Sequence, residues 1–411
     1  MKFHKTLLSA AILLLICPVH VAAQQRKQET SSNIDALIKA ALQGDVKAQA
    51  DLGTMFIQGR VGLQDYIEAA QWLRMPAEKG DPVAQFLLGW MYLHGKGVPQ
   101  DYAVAAELLR NPAEKGNAIA QFLMGEMYSR GDGVPQDYAK AAQWLRKPAE
   151  QGNVLAQSYL GLMYLNGRGV SQNYAEAEKW FRQAAEQGNA AAQANLGTMY
   201  FHGNGVPKNY AEAAKWSRKG AEQGDPIAQA NLGAMYLQGR GVPQDYTEAA
   251  KWSRQAAEQG DTIAQANLGT MYLQGKGVPQ DFAEAARWSL KAAEQGHVAA
   301  QVSMGSMYIQ GTGVPLDYAE AAKWFRKAAE QGDRTAQSML GSFHFEGLGV
   351  TKDYVESYMW LTLSVAGSTD KRNPFFQKAA ELRNSIAKEM SPEQIAEAQR
   401  RAKEWKSKMA K

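Results

Sequence analysis

The chain has 411 residues, 45% of them hydrophobic and 21% charged, with a formal net charge of +4; it exceeds what one hydrophobic core organises, so it is several domains or one unit repeated. This balance suits a folded soluble protein rather than a disordered one, and a charge that falls to +2 without Lys2 and Lys5 argues against nucleic acid as a partner. The single cysteine, Cys17, lies near the start, so a chain that loses its first residues has neither a disulfide nor a thiol nucleophile.

Residues 1–23 have the layout of a cleavable secretory signal: Lys2 and Lys5, an apolar run from Leu7 to Ile16, then Val21-Ala22-Ala23. Cleavage after Ala23 is expected, and with it export to a periplasm or out of the cell. The apolar run is short against the roughly 20 residues of a spanning helix, so no transmembrane segment is expected after cleavage. Ile16 precedes Cys17 where lipid attachment wants a small residue, so a lipoprotein is not expected. Residues 24–32 read as a flexible N-terminus. In 33–44, Ile34, Leu37, Ala40 and Ala41 share one helical face and read as an N-capping helix.

From 45 to 368 the chain repeats itself. Gly53, Gly89, Gly125, Gly161, Gly197, Gly233, Gly269, Gly305 and Gly341 are spaced 36 residues apart, and a tryptophan keeps the same interval from Trp72 to Trp360, with Leu108 in the one gap. A fixed period of this length signals a solenoid whose units bury their faces against neighbours. The sixth unit shows the plan. Asp225-Pro226 caps and opens helix A, on which Ala228, Leu232, Met235 and Tyr236 recur at helical spacing and Gly233 permits close approach of another helix. Gly239-Arg240-Gly241-Val242-Pro243 ends it. Asp245, with Glu248 three residues on, forms a capping-box pattern for helix B, which carries Ala249, Ala250 and Trp252. The glycine loop follows a helix and lacks a phosphate-binding context, so it reads as a turn.

Repeats one to three carry Pro76, Pro112 and Pro148 late in helix B where most later units have alanine, which predicts a lost hydrogen bond and a bend in each. Repeat one has a scrambled loop at Gly59-Arg60-Val61-Gly62-Leu63, and repeat nine has His344 for the tyrosine. Residues 369–411 read as basic C-terminal capping helices, the second opened by Ser391 with Gln394 three residues on.

The recurring Ala-Gln, Leu-Gly, Met-Tyr, Gly-x-Gly-Val, Asp-Tyr, Ala-Ala, Trp and Ala-Glu-Gln-Gly elements resemble the Sel-1-like repeat family, relatives of tetratricopeptide repeats, across 45–368. The resemblance implies an all-α fold: a right-handed superhelical solenoid of nine 36-residue helix-turn-helix repeats with helical caps, helix A lining the concave surface. It also implies an adaptor or scaffold that binds protein or peptide partners, in bacteria often exported and acting in the envelope or in host contact.

Binding residues are expected where the repeats differ from one another. On helix A the seventh, tenth and fourteenth positions vary most and share a face. Repeats five to seven place Asn195, Asn231 and Asn267 at position seven, three carboxamides that would pair with the backbone of an extended peptide. Repeats two to four carry Phe86, Leu87, Trp90, Phe122, Leu123, Tyr159 and Leu162, candidate interface anchors with Trp90 the leading exposed one. For Phe86 and Phe122 the alternative is core filling beside the prolines. Envelope glycan stacked on this aromatic patch is the second functional reading. The tryptophan series reads as packing.

An enzyme is not expected. Some cysteine-rich relatives are associated with beta-lactams, and Ser385-Ile386-Ala387-Lys388 matches the Ser-x-x-Lys element of beta-lactam hydrolases, but the companion motifs are missing. His, Asp and Glu nowhere show metal-ligand spacing, so neither metal nor cofactor is expected.

Overall fold

The computed structural model describes residues 27–60, 65–366 and 374–409. The expected signal segment and most of the scrambled first loop lie outside them. Among the described residues there are 21 helices and no strand, and none of the helices is long and apolar enough to cross a membrane. The chain forms two compact units, residues 1–189 and 190–411.

The first unit holds an N-terminal helix, Lys27–Leu42, and four helix pairs. Their A helices are Val46–Ile57, Pro82–His94, Ala118–Arg130 and Val154–Asn166; their B helices are Tyr66–Glu78, Tyr102–Glu114, Tyr138–Glu150 and Tyr174–Glu186. The second unit holds five pairs. Its A helices are Ala190–His202, Pro226–Gln238, Thr262–Gln274, Val298–Gln310 and Arg334–Glu346; its B helices are Tyr210–Glu222, Tyr246–Glu258, Phe282–Glu294, Tyr318–Glu330 and Tyr354–Val365. Helices Pro374–Ile386 and Pro392–Met409 follow. Within each unit a helix packs on its own partner and on the next pair, as a solenoid requires.

Capping chemistry sets the boundaries. Asp225 Oδ1 accepts from Ala228 N at 2.9 Å to open helix A of repeat six, and Asp245 Oδ1 accepts from Thr247 N and Glu248 N to open helix B. The reciprocal half of the expected capping box is absent, because Asp245 N already donates to the Tyr236 carbonyl at 3.1 Å and Glu248 instead accepts from Trp252 Nε1 at 2.9 Å. At Ser391 the full box forms: Gln394 N donates to Ser391 Oγ, and Ser391 N donates to Gln394 Oε1.

Two glycines in each loop have separate tasks. Gly239 closes helix A in the left-handed region at φ 64°. Gly241 also has positive φ, and a Cβ there would overlap the Tyr210 carbonyl of the preceding repeat. The loop therefore lies against its neighbour's backbone and has no room for a phosphate. The helix-A glycine brings the two helices of a pair together: a Cβ at Gly233 would stand 2.7 Å from Ser253 Oγ, and one at Gly161 2.7 Å from the Phe181 ring.

The repeated side chains are used in packing. Trp180, Trp216, Trp252, Trp288, Trp324 and Trp360 are buried, and Trp72 and Trp144 half-buried. A glutamine ladder links neighbouring pairs. Gln265 Nε2 donates to the Ala257 carbonyl of the preceding repeat, while its Oε1 accepts from Gln295 Nε2 at 2.7 Å. In repeat two, where Lys115 replaces the second glutamine, Asn111 Nδ2 donates to Gln85 Oε1 instead. An arginine from helix B bonds the next repeat's helix-A tyrosine, as in Arg254 to Tyr272 at 2.8 Å. His344 keeps that bond: its Nε2 lies 3.1 Å from Arg326 Nη2 and its Nδ1 3.1 Å from the Thr351 carbonyl. Arginine only donates and a carbonyl only accepts, so these two contacts fit the tautomer with its proton on Nδ1.

The helices that carry Pro76, Pro112 and Pro148 run unbroken for 13 residues, the length of their alanine-bearing counterparts. The prolines are buried and their carbonyls take the usual closing bond, as from Asp81 N to Pro76 O at 3.0 Å.

The N-terminal end differs in detail from expectation. The N-terminal helix begins at Lys27 rather than 33, so most of the segment expected to be flexible is helical. Once Leu37, Ile38 and Ala41 are docked on Ala48 and Leu52, extending the helix by further turns costs little. At the other end Ala379, Ile386, Ala398 and Ala402 join the core of repeat nine, Trp405 packs edge-on to Trp360 at 6.2 Å, and Arg401 pairs with Glu356 at 2.8 Å.

Candidate functional site

The variable face of helix A is where a partner would find accessible groups, and burial divides the expected residues sharply. Phe86, Leu87, Phe122 and Leu123 belong to the core of the first unit. Trp90, expected as an exposed anchor, is only 3% exposed. It lies 6.2 Å from the Tyr66 ring and 4.6 Å from His94, filling the space between repeats one and two, and its indole N–H is buried without a partner. A large apolar ring beside the previous repeat's tyrosine gains more from covering it than from standing in water. Of the aromatic patch, Tyr159 and Leu162 remain half-buried and accessible.

The asparagines of repeats five to seven differ in how far they are engaged within the chain. Position seven of one repeat meets position ten of the repeat before it, so Asn231 Nδ2 is committed to Thr198 Oγ1 at 2.9 Å. Asn195 Nδ2 turns back onto its own helix, donating to the Ala191 carbonyl at 2.8 Å. Asn267, for which the position-ten residue of the preceding repeat is Ala234, makes no hydrogen bond among the described residues. Of the three carboxamides, one keeps both its donors and its acceptor for a ligand.

In the first unit the same pairing joins Tyr159 to Glu126: the phenol donates to Glu126 Oε1 at 3.0 Å, and Arg130 pairs with that carboxylate at 2.5 Å. Burial pushes the Tyr159 phenol up to about 12, with the neighbouring Glu126 charge adding to the effect. The phenol therefore stays a donor at any ordinary pH.

Beside this triad is a recess of about 250 Å³ between repeats three and four, lined by Ser129, Tyr138, Tyr159, Leu162, Met163, Asn166 and Arg168. Its origin is one residue. Position thirteen of helix A is Ile57, Leu93, Ser129, Leu165, Phe201, Leu237, Leu273, Ile309 and Phe345 through the nine repeats. In repeat five Phe201 packs edge-on to Tyr210 at 5.2 Å, and in repeat nine Phe345 stacks on Tyr354 at 5.9 Å. Ser129 is too small to cover Tyr138 in this way, and the volume stays open. Arg168 stands with its guanidinium 5.8 Å from the Tyr138 ring centre. Ser129, Tyr138, Met163, Asn166 and Arg168 were not among the residues expected from the sequence. Comparison of position thirteen across repeats carries the signal.

No group of three or more His, Cys, Asp and Glu among the described residues is placed to hold a metal ion. Ser385 and Lys388 are exposed at the end of a cap helix.

The profile of the Sel1 repeat matches nine consecutive segments: 46–81, 82–117, 118–153, 154–189, 190–225, 226–261, 262–297, 298–333 and 335–367. Among solved structures, a protective antigen of uropathogenic Escherichia coli displaying an SLR fold is 35% identical, the match covering 92% of this chain and 87% of that one with a TM-score of 0.60. A Sel1 repeat protein from Oxalobacter formigenes is 34% identical over 77% of this chain and 90% of its own, with a TM-score of 0.56. A comparison with curated proteins gives no match.

Proposed function

The chain belongs to the Sel1-repeat family, helical scaffolds that generally mediate protein interactions, and on that footing we propose that it is an exported scaffold binding protein or peptide partners on the helix-A surface of its repeats. One observation carries the reading: residues repeated in every unit are consumed by packing, whereas the variable helix-A positions retain accessible groups at Tyr159, Leu162 and Asn267. Scaffolds of this kind vary the binding surface while keeping the frame constant. Export is supported by the pattern of residues 1–23, and a role in host contact by the relative that is a protective antigen. Family membership favours this over catalysis. The glycan alternative is weakened, since Phe86, Trp90 and Phe122 are buried and Tyr159 is the ring of that patch left accessible.

Site-specific photo-crosslinking tests the proposal. A photoreactive residue at 162 or 267 should capture a discrete protein in envelope preparations, while one replacing the exposed helix-B residues Lys251 or Lys323 should not. Capture only from helix B, or recovery of glycan in place of protein from both helix-A positions, would overturn it.

A further inference from the structure

The recess beneath Ser129 is smaller than the roughly 300–1,000 Å³ of sites that hold a cofactor or drug-sized ligand. Its size suits a single side chain. Leu162 and Met163 supply an apolar floor, and the rings of Tyr138 and Tyr159 supply walls; aromatic edges and a thioether both favour contact with another ring. The polar groups at the rim are unequal. Asn166 Nδ2 is spent on the Leu162 carbonyl at 3.0 Å, and the nearby carboxylate of Glu126 is spent on Arg130 and Tyr159. Arg168 is exposed, its guanidinium lies beside the Tyr138 ring, and it forms no ion pair among the described residues. A chain lying across repeats three and four therefore meets an aromatic hole beside an uncompensated cation.

We propose that this recess is a side-chain pocket for one phenylalanine of a partner peptide, with an adjacent aspartate or glutamate held by Arg168. The inference rests on the helix-A surface being a peptide-binding surface. At repeats five and nine the side chains of Phe201 and Phe345 already lie on the equivalent tyrosines, and Trp90 fills the junction of repeats one and two. Arg240, the counterpart of Arg168, lies over both Phe201 and Tyr210, so there the cation covers a filled hole.

Methionine-methyl NMR on the full chain reads the pocket directly, with the Met163 resonance identified by its loss in Met163→Leu. Titration with the blocked peptide Gly-Phe-Asp-Gly should shift Met163 and leave Met127, Met199 and Met235 unmoved. Gly-Ala-Asp-Gly should bind about tenfold more weakly, as for loss of one buried anchor, and Gly-Phe-Lys-Gly about threefold more weakly, as for loss of one exposed charge pair. Ser129→Leu installs the residue that repeats two, four, six and seven already carry there, so it should fold normally and abolish the shift. An undiminished Met163 shift in folded Ser129→Leu, or equal shifts at all four methionines, would overturn the pocket. A crosslinked partner that binds Ser129→Leu as well as the parent removes the pocket and leaves the scaffold standing; peptide binding at Met163 without any crosslinked partner does the reverse.

Discussion

His297 stands where every other repeat has Asp or Asn as its helix-A cap, and its Nδ1 accepts from Ala300 N at 3.2 Å. Burial holds its pKa below the ordinary 6.5, and a ring protonated at Nδ1 has no lone pair left to accept. A depressed folded pKa means that the cap's contribution is complete above about pH 6.5 and is lost as pH falls through the folded value. His297→Asp should therefore raise stability by about 1 kcal/mol at pH 5 and by less at pH 8. Urea unfolding at the two pH values checks this, and equal gains at both would mean that the ring's titration is immaterial. Residue identity here was legible in the sequence but its use was not. His297 stands at the 36-residue interval of Asp225 and Asp261, and His344 was visible as a departure from tyrosine, yet the hydrogen bonds that make them equivalent to aspartate and tyrosine depend on which ring nitrogen faces which partner.

The helix pair is governed by the contact between the helix-A glycine and the residue it faces on helix B, which is Phe181 in repeat four and Ser253 in repeat six. Gly161→Ala drives a methyl into the Phe181 ring, and overpacking of this kind costs about 1–3 kcal/mol. Removing the ring in Gly161→Ala/Phe181→Ala should make the combined loss smaller than the sum of the two single losses, to be measured as a non-additive term in a double-mutant cycle by chemical denaturation. Simple addition of the two single effects would show that the pair does not meet as described. At this scale the sequence was a good guide to what recurs: the caps, the glycine loop and the tryptophan packing followed from periodicity. It was a poor guide to what varies. Trp90 and Phe122 look like anchors because they break the pattern, but whether an unusual ring is buried depends on what the preceding repeat leaves beside it, and no single helix carries that information. The contact made by Asn231 was illegible for the same reason, since its partner Thr198 lies 33 residues earlier on another helix.

Across the whole molecule, nine repeats without insertion were legible from glycine and tryptophan spacing alone, as was the need to cover the last repeat. Deleting residues 391–411 removes Ala398, Ala402 and Trp405 from the core of repeat nine and strands Glu356 without Arg401. Nearest-neighbour coupling confines the damage to adjoining units. Hydrogen exchange in Arg334–Glu346 and Tyr354–Val365 should rise at least tenfold while Lys27–Leu42 and Val46–Ile57 stay at parental rates; uniform acceleration along the chain would contradict that coupling.

The recess under Ser129 draws its lining from two repeats: Ser129 and Tyr138 come from the third, whereas Tyr159, Leu162, Met163, Asn166 and Arg168 come from the fourth. Such a feature cannot be inherited with either unit alone. A duplication of the third repeat would place a copy of Ser129 beneath Asp132 instead of Arg168, and an unequal crossover that joined the third repeat to the sixth would set Arg240 over Tyr138 but substitute Asn231 for Tyr159. The frame tolerates such a shuffle because helix-A glutamines bond a carbonyl of the preceding repeat at junction after junction within each unit, as Gln121, Gln157, Gln265 and Gln337 do, so the chain can gain or lose length by whole units without losing its fold. Recognition is less forgiving, and adjacency of the third and fourth repeats is the heritable trait on which it depends.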